Sequence, residues 1–158
     1  MNVLLTKVCR RAPLRRRSVL RRMLNQAAIR SGLAERFGPA DELHVILVSA
    51  DEIAVLNGAH LGHAGSTDVI AFDLAEDMPV PGEPRQIGEI YVCVDVAMAM
   101  GAKLGTGTAY ELVLYCVHGM LHLAGLDDHE PADRERMRAG EARIMGRLRD
   151  ILDFRDIL

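Results

Sequence analysis

The chain has 158 residues, 49% of them hydrophobic and 26% charged, with a net charge of −3. This balance predicts a single folded domain over residues 1–158 and excludes a disordered tail, a collagen-like fibre and a multidomain assembly. No run approaches 18 consecutive apolar residues, so no membrane partner is expected, and the widely spaced Cys9, Cys93 and Cys116 point to a reducing compartment rather than a disulfide framework.

Residues 2–8 read as an edge strand. Between residues 1 and 34 lie nine basic side chains, including Arg15, Arg16, Arg17, Arg21 and Arg22, and no acid, which leaves ten basic residues against all 22 acids in the rest of the chain. Three readings of this cationic pole stand side by side: a surface for phosphates such as RNA, a solvated helix face, and an Arg-rich targeting segment. Val19, Leu20, Met23, Leu24 and Ala27 recur at helical spacing and predict a packed helix here. Residues 43–48 (LHVILV) read as a strand, and Ser49 with Glu52 has the form of a capping box opening a helix to about His60. Residues 61–66 read as a loop, 69–72 as a buried strand, 79–84 as a Pro-rich surface loop and 87–94 as a further strand. A short helix over 95–103 follows. Thr108 with Glu111 repeats the capping-box pattern ahead of a long apolar helix that Gly125 terminates, and a last helix begins near Pro131. The glycine-rich residues 101–108 lack the order of a phosphate-binding P-loop.

The chemistry concentrates in residues 118–129 (HGMLHLAGLDDH). His118 and His122 stand four apart in the predicted helix, so both imidazoles share one face, an arrangement suited to zinc. A left-handed Gly125 would reverse the chain and bring in a third ligand, leaving a fourth position for water. Counting from His118, His falls at +4, Gly at +7 and Asp128 at +10, the interval of zinc proteases with the pattern H-E-x-x-H-x-x-G-x-x-H. Residue +1 is Gly119, however, and not the Glu that serves those proteases as general base, which disfavours peptide hydrolysis.

These residues resemble a known family. The run His118-Gly-x-Leu-His122-Leu-x-Gly125-x-Asp127 is similar to the H-G-x-L-H-L-x-G-Y-D-H signature of the YbeY endoribonucleases. Leu56-Asn57 with residues 67–72 (TDVIAF) resembles the family's L-N…T-D-V-L-S-F segment, and Gly88-Glu89-Ile90 its G-D-I strand, so that the resemblance runs from about residue 43 to 141. It implies an α/β fold, with a small mixed four-stranded sheet and about five helices, and one zinc at the C-terminal end of a central helix. It also implies a cytoplasmic enzyme acting on single-stranded RNA in small-subunit rRNA 3′-end maturation.

The sequence departs from the pattern in three places. The family's third ligand, usually His, falls at Asp128, with His129 one residue later; register favours Asp128 and residue type favours His129. The family's arginine after the L-N segment falls at Leu61, with His60 and His63 nearby, and the signature's Tyr is Leu126. Glu111 is a candidate to orient a metal-bound histidine or else a helix-capping residue; Asp68 is a candidate for the cleft or else a turn residue. The attacking group, water or the ribose 2′-hydroxyl, stays open. Two other functions are carried as alternatives: an RNA-binding ribosome-assembly factor with a structural metal, and a metal hydrolase acting on a substrate other than RNA.

Overall fold

The computed structural model describes residues 1–7, 9–11, 14–62, 65, 67–75 and 80–158, with backbone alone at 7, 60 and 61. In chain order the elements are β1 (Asn2–Lys7), α1 (Arg17–Arg30), β2 (Glu42–Val48), α2 (Ala50–Leu61), β3 (Val69–Asp73), β4 (Gln86–Cys93), α3 (Val94–Leu104), α4 (Thr108–Leu123) and α5 (Pro131–Ile151). Single 3-10 turns lie at Leu33–Arg36 and Phe154–Asp156. The strands form one mixed sheet in the order β1-β2-β4-β3, with β3 alone antiparallel to its neighbour. This is the α/β architecture expected of the sequence.

Alternation along the strands divides the interior. Leu43, Val45 and Leu47 of β2, with Ile90 and Val92 of β4, are fully buried in the main core, which they share with α1, α4 and α5. Val48 and Cys93 point to the other face, where Ile53 of α2 and Ile70 of β3 complete a smaller cluster. Burial at roughly 25 cal/mol per Å² of apolar surface makes the main core the dominant stabilising term. Helix α4 runs through its centre, with Leu112, Val113, Val117 and Met120 inaccessible to solvent.

The predicted capping box at α2 is present: Glu52 N–H donates to Ser49 Oγ at 3.2 Å, and Ser49 N–H donates to Glu52 Oε2 at 2.7 Å. The one predicted at α4 is not. Gly107, at φ 89°, occupies the N-cap, so Thr108 is already inside the helix and its hydroxyl caps nothing. The Glu111 carboxylate is turned inward instead, 3% exposed, and accepts the Thr106 hydroxyl at 2.6 Å. Strand β3 also departs from expectation, because it lies at the sheet edge with only Ile70 buried. Its remaining face is left for the site.

Helix α4 can approach the sheet because residue 119 carries no side chain. A Cβ built there would lie 2.9 Å from Ile90 Cγ2, closer than side chains pack, and Ile90 is itself fully buried and cannot retreat. The same contact explains why no glutamate occupies this position. We expect Gly119→Ala to destabilise the fold by about 1–2 kcal/mol, overpacking outweighing the gain in helix propensity. Thermal melting should show a loss of roughly 2–8 °C, partly recovered in Gly119→Ala/Ile90→Val.

Candidate metal centre

The two histidines fall where the helical period predicts. Both project from the C-terminal half of α4, with ring centroids 4.6 Å apart. The helix then ends in a left-handed turn: Gly125 adopts φ 109°, its N–H donates to the His122 carbonyl at 2.9 Å, and Leu126 N–H donates to the Leu121 carbonyl at 3.0 Å. This paired closure satisfies two otherwise orphaned carbonyls and sets the direction in which residues 126–128 leave the helix.

The turn also fixes the histidine tautomers. His122 Nδ1 lies 3.0 Å from the Leu126 carbonyl oxygen, which can only accept, so Nδ1 carries the proton. His118 Nδ1 lies 2.5 Å from Glu141 Oε1 on α5 and donates to it in the same way. In the neutral rings both Nε2 atoms therefore present lone pairs, and they face each other at 3.0 Å. Asp128 Oδ2 lies 3.5 Å from each of them. Two ring nitrogens and a carboxylate oxygen converging in this way repel one another unless a cation lies between them. That donor set fits zinc chemically.

His129 is directed elsewhere. Its side chain is 84% exposed, and its Nε2 lies 3.4 Å from Asp127 Oδ1. Asp127, Asp128 and His129 form a second close group, of which only Asp128 is partly buried. Glu111 does not reach the histidines, being held by Thr106. It is Glu141, 23 residues beyond His118, that makes the hydrogen bond to His118 Nδ1. Helical spacing carried no signal for Glu141, because the contact is made between two helices.

Electrostatics follow from these contacts. Burial by itself pulls the His118 imidazolium down, but the hydrogen bond to Glu141 and the charges of Glu141, Asp128 and Asp68 outweigh it, so His118 titrates above the ordinary value of 6.5. Tyr115, beside the cluster, is raised by burial and then by the charges of Glu111 and Asp68, and stays a neutral phenol.

The cluster opens into two connected cavities that share Asp68, His118 and Asp128. The larger, of about 540 Å³, runs along β3 past Thr67, Val69, Ile70 and Ala71; the smaller, of about 270 Å³, reaches Tyr115, Arg134, Arg138 and Glu141. Asp68 lines the cleft and accepts Val69 N–H at 2.8 Å in the turn before β3. His63 and the side chains of His60 and Leu61 lie outside the described residues. The N-terminal arginines line neither cavity. Arg15 N–H donates to the Ile157 carbonyl, Arg16 pairs with Asp156, and Arg17 donates to the Leu5 carbonyl, while Arg21 and Arg22 are exposed on α1. The turn that contains Asp156 packs on Tyr110, in the first turn of α4, about 12 Å along the helix from His118.

Comparison with known proteins gives a consistent answer. The family model described as endoribonuclease YbeY matches residues 9–149. The chain is 37% identical over 125 residues to the endoribonuclease YbeY of Elusimicrobium minutum, covering 77% of this chain and 85% of that one. It is also 37% identical over 115 residues to the protein of the same name from Halorhodospira halophila, covering 72% and 75%. Among solved structures, the solution structure of TM1509 from Thermotoga maritima matches with a TM-score of 0.57 at 25% identity, over 94% of this chain and 92% of that one. With a match that spans most of its length and relatives that are similar over most of theirs, the chain belongs to the YbeY endoribonuclease family.

Proposed function

We propose that this protein is a zinc-dependent endoribonuclease that cleaves single-stranded RNA during small-subunit rRNA maturation in the cytoplasm, with His118, His122 and Asp128 holding one zinc. The observation that carries the reading is the convergence of two Nε2 atoms and one carboxylate oxygen at the floor of a cleft. Among the described residues no helix is long and apolar enough to cross a membrane. When bound, zinc would supply a Lewis acid for a phosphoryl oxygen and lower the pKa of water towards about 7.

The chain's own residues perform the rest. Glu141 holds the His118 proton on Nδ1, and the Leu126 carbonyl does the same for His122, so each ring presents its Nε2 in a fixed orientation. The β3 edge and Asp68 form one wall of the cleft, while Arg134 and Arg138 bring positive charge to its smaller lobe, suited to an anionic strand. Gly119, packed on Ile90, leaves no space on α4 for a protease-type general base, which favours RNA over a peptide substrate.

The deciding experiment is incubation of nuclease-free protein with labelled single-stranded RNA. Cleavage should be abolished both by His122→Ala and by a chelator, whereas RNA retained intact by the wild-type protein would favour an assembly factor with a structural metal. Products ending in a 2′,3′-cyclic phosphate would exclude direct attack by water. For the third ligand, Asp128→Ala should lower zinc stoichiometry more than His129→Ala; equal or reversed losses in metal analysis would overturn the assignment to Asp128.

Glu141 has its own signature. In metal-free protein the His118 titration followed by NMR should have its midpoint above 6.5 and fall in Glu141→Gln. Because the folded-state pKa is raised, this interaction stabilises the metal-free fold fully below pH 6.5 and is lost as pH rises through the folded value. Glu141→Gln should also weaken zinc binding by about 10–100-fold.

A further inference from the structure

Helix α5 carries a second concave site on the flank facing away from the metal centre. Residues 141 and 143 are separated by about 200° around the helix, so that Glu141 reaches His118 while Arg143 turns towards α1. There Arg143 and Arg147 line a cavity of about 350 Å³ together with Arg30, the last residue of α1.

Three permanent charges meet in this cleft. Among the described residues none of the three takes part in an ion pair. Arg30 Nε is buried with no hydrogen-bond partner among the described residues. Arg143 Nη1 and Nη2 each lie 3.4 Å from the Arg30 carbonyl oxygen, a contact with the negative end of α1 that accounts for the position of Arg143. It does not account for Arg147, whose side chain makes no hydrogen bond among the described residues, nor for the buried Nε of Arg30. Like charges converge in this way only at a Coulomb cost, which an anion in the cleft would reverse.

We propose that Arg30, Arg143 and Arg147 form a phosphate-binding subsite for the RNA backbone, engaged by nucleotides that flank those in the metal cleft; the assignment rests on the endoribonuclease reading. Guanidinium forks match phosphate oxygens in shape and charge, and a single RNA strand offers one phosphate per nucleotide. Arg143 and Arg147 stand only about 3 and 9 Å further along the α5 axis than Glu141, so a short stretch of strand passing over the helix spans both sites. Among the N-terminal arginines, Arg16 and Arg17 are already engaged by Asp156 and the Leu5 carbonyl, and Arg21 and Arg22 stand exposed on α1 and line none of the cavities described above.

The test is steady-state cleavage of a labelled single-stranded RNA by zinc-loaded protein across a salt series. Arg143→Gln/Arg147→Gln should raise KM about tenfold or more at low salt with a smaller effect on kcat. It should also flatten the dependence of log kcat/KM on log salt by about 1.4, the value for two lost phosphate contacts on a single strand. Arg147→Gln alone, which removes no hydrogen bond or ion pair within the described residues, should give about half that change and retain the wild-type melting temperature. Wild-type cleavage with unchanged KM and salt slope in the double variant would overturn the subsite alone. A wild-type protein that neither cleaves nor binds the RNA would overturn the endoribonuclease reading and the subsite with it. If inorganic phosphate raises the melting temperature of the wild type but not of the double variant, while their RNA kinetics agree, the cleft holds a free anion and its assignment to RNA fails.

Discussion

The close seating of α4 on the sheet is the constraint from which the rest of the site follows. Gly119 lets the helix backbone approach Ile90 at a distance that no side chain would permit. Its two histidine neighbours in the helix, His118 before it and His122 a turn later, are thereby held at the rim of the core with one edge towards solvent. A helix displaced outward by one methyl group would carry both imidazoles with it, and the wall formed by β3 would no longer face them. Close packing and chemistry are therefore not separable here: the same missing side chain that completes the core excludes a carboxylate at the position where zinc proteases place their base.

Orientation is supplied by groups that do not themselves converge on the centre. The left-handed turn at Gly125 satisfies the end of α4 and, in doing so, delivers the Leu126 carbonyl to His122 Nδ1. Glu141 does the equivalent for His118 from a separate helix. Each imidazole is locked by one hydrogen bond on its far nitrogen, leaving its near nitrogen free. The cost is an accumulation of acids around His118, with Glu141, Asp128 and Asp68 all raising its proton affinity. In such a cluster a cation, either a proton or a metal, would be the stabilising occupant.

Charge is arranged differently over the rest of the molecule. The N-terminal arginine run that dominates the composition is partly absorbed in holding the chain ends together, through Arg16 with Asp156 and Arg15 with the Ile157 carbonyl. Unneutralised guanidinium groups converge instead between α1 and α5, where Arg30 and Arg143 meet from 113 residues apart. A count of basic residues along the chain locates the first cluster and passes over the second.

What the sequence by itself determined is local. The four-residue spacing of His118 and His122, the glycine seven residues on, the Ser49–Glu52 box and the alternation in residues 43–48 are periodicities of one helical turn, one cap or one pleat, and short-range sterics and hydrogen bonding enforce them wherever the chain goes. The family signature was legible for the same reason, being a single turn-and-cap unit. Thr108 and Glu111 show the limit of such reading: the pattern was right for a capping box, but Gly107 in a left-handed conformation took the cap and Thr106 took the carboxylate. Only the tertiary structure decided that Glu141 rather than Glu111 meets His118, that Asp128 turns inward while His129 turns out to Asp127, that β3 lies at an edge and that Arg30 joins Arg143 and Arg147. Each of these depends on how separate elements pack, and packing is governed by shape and burial across the fold, which leave no fixed spacing along the chain.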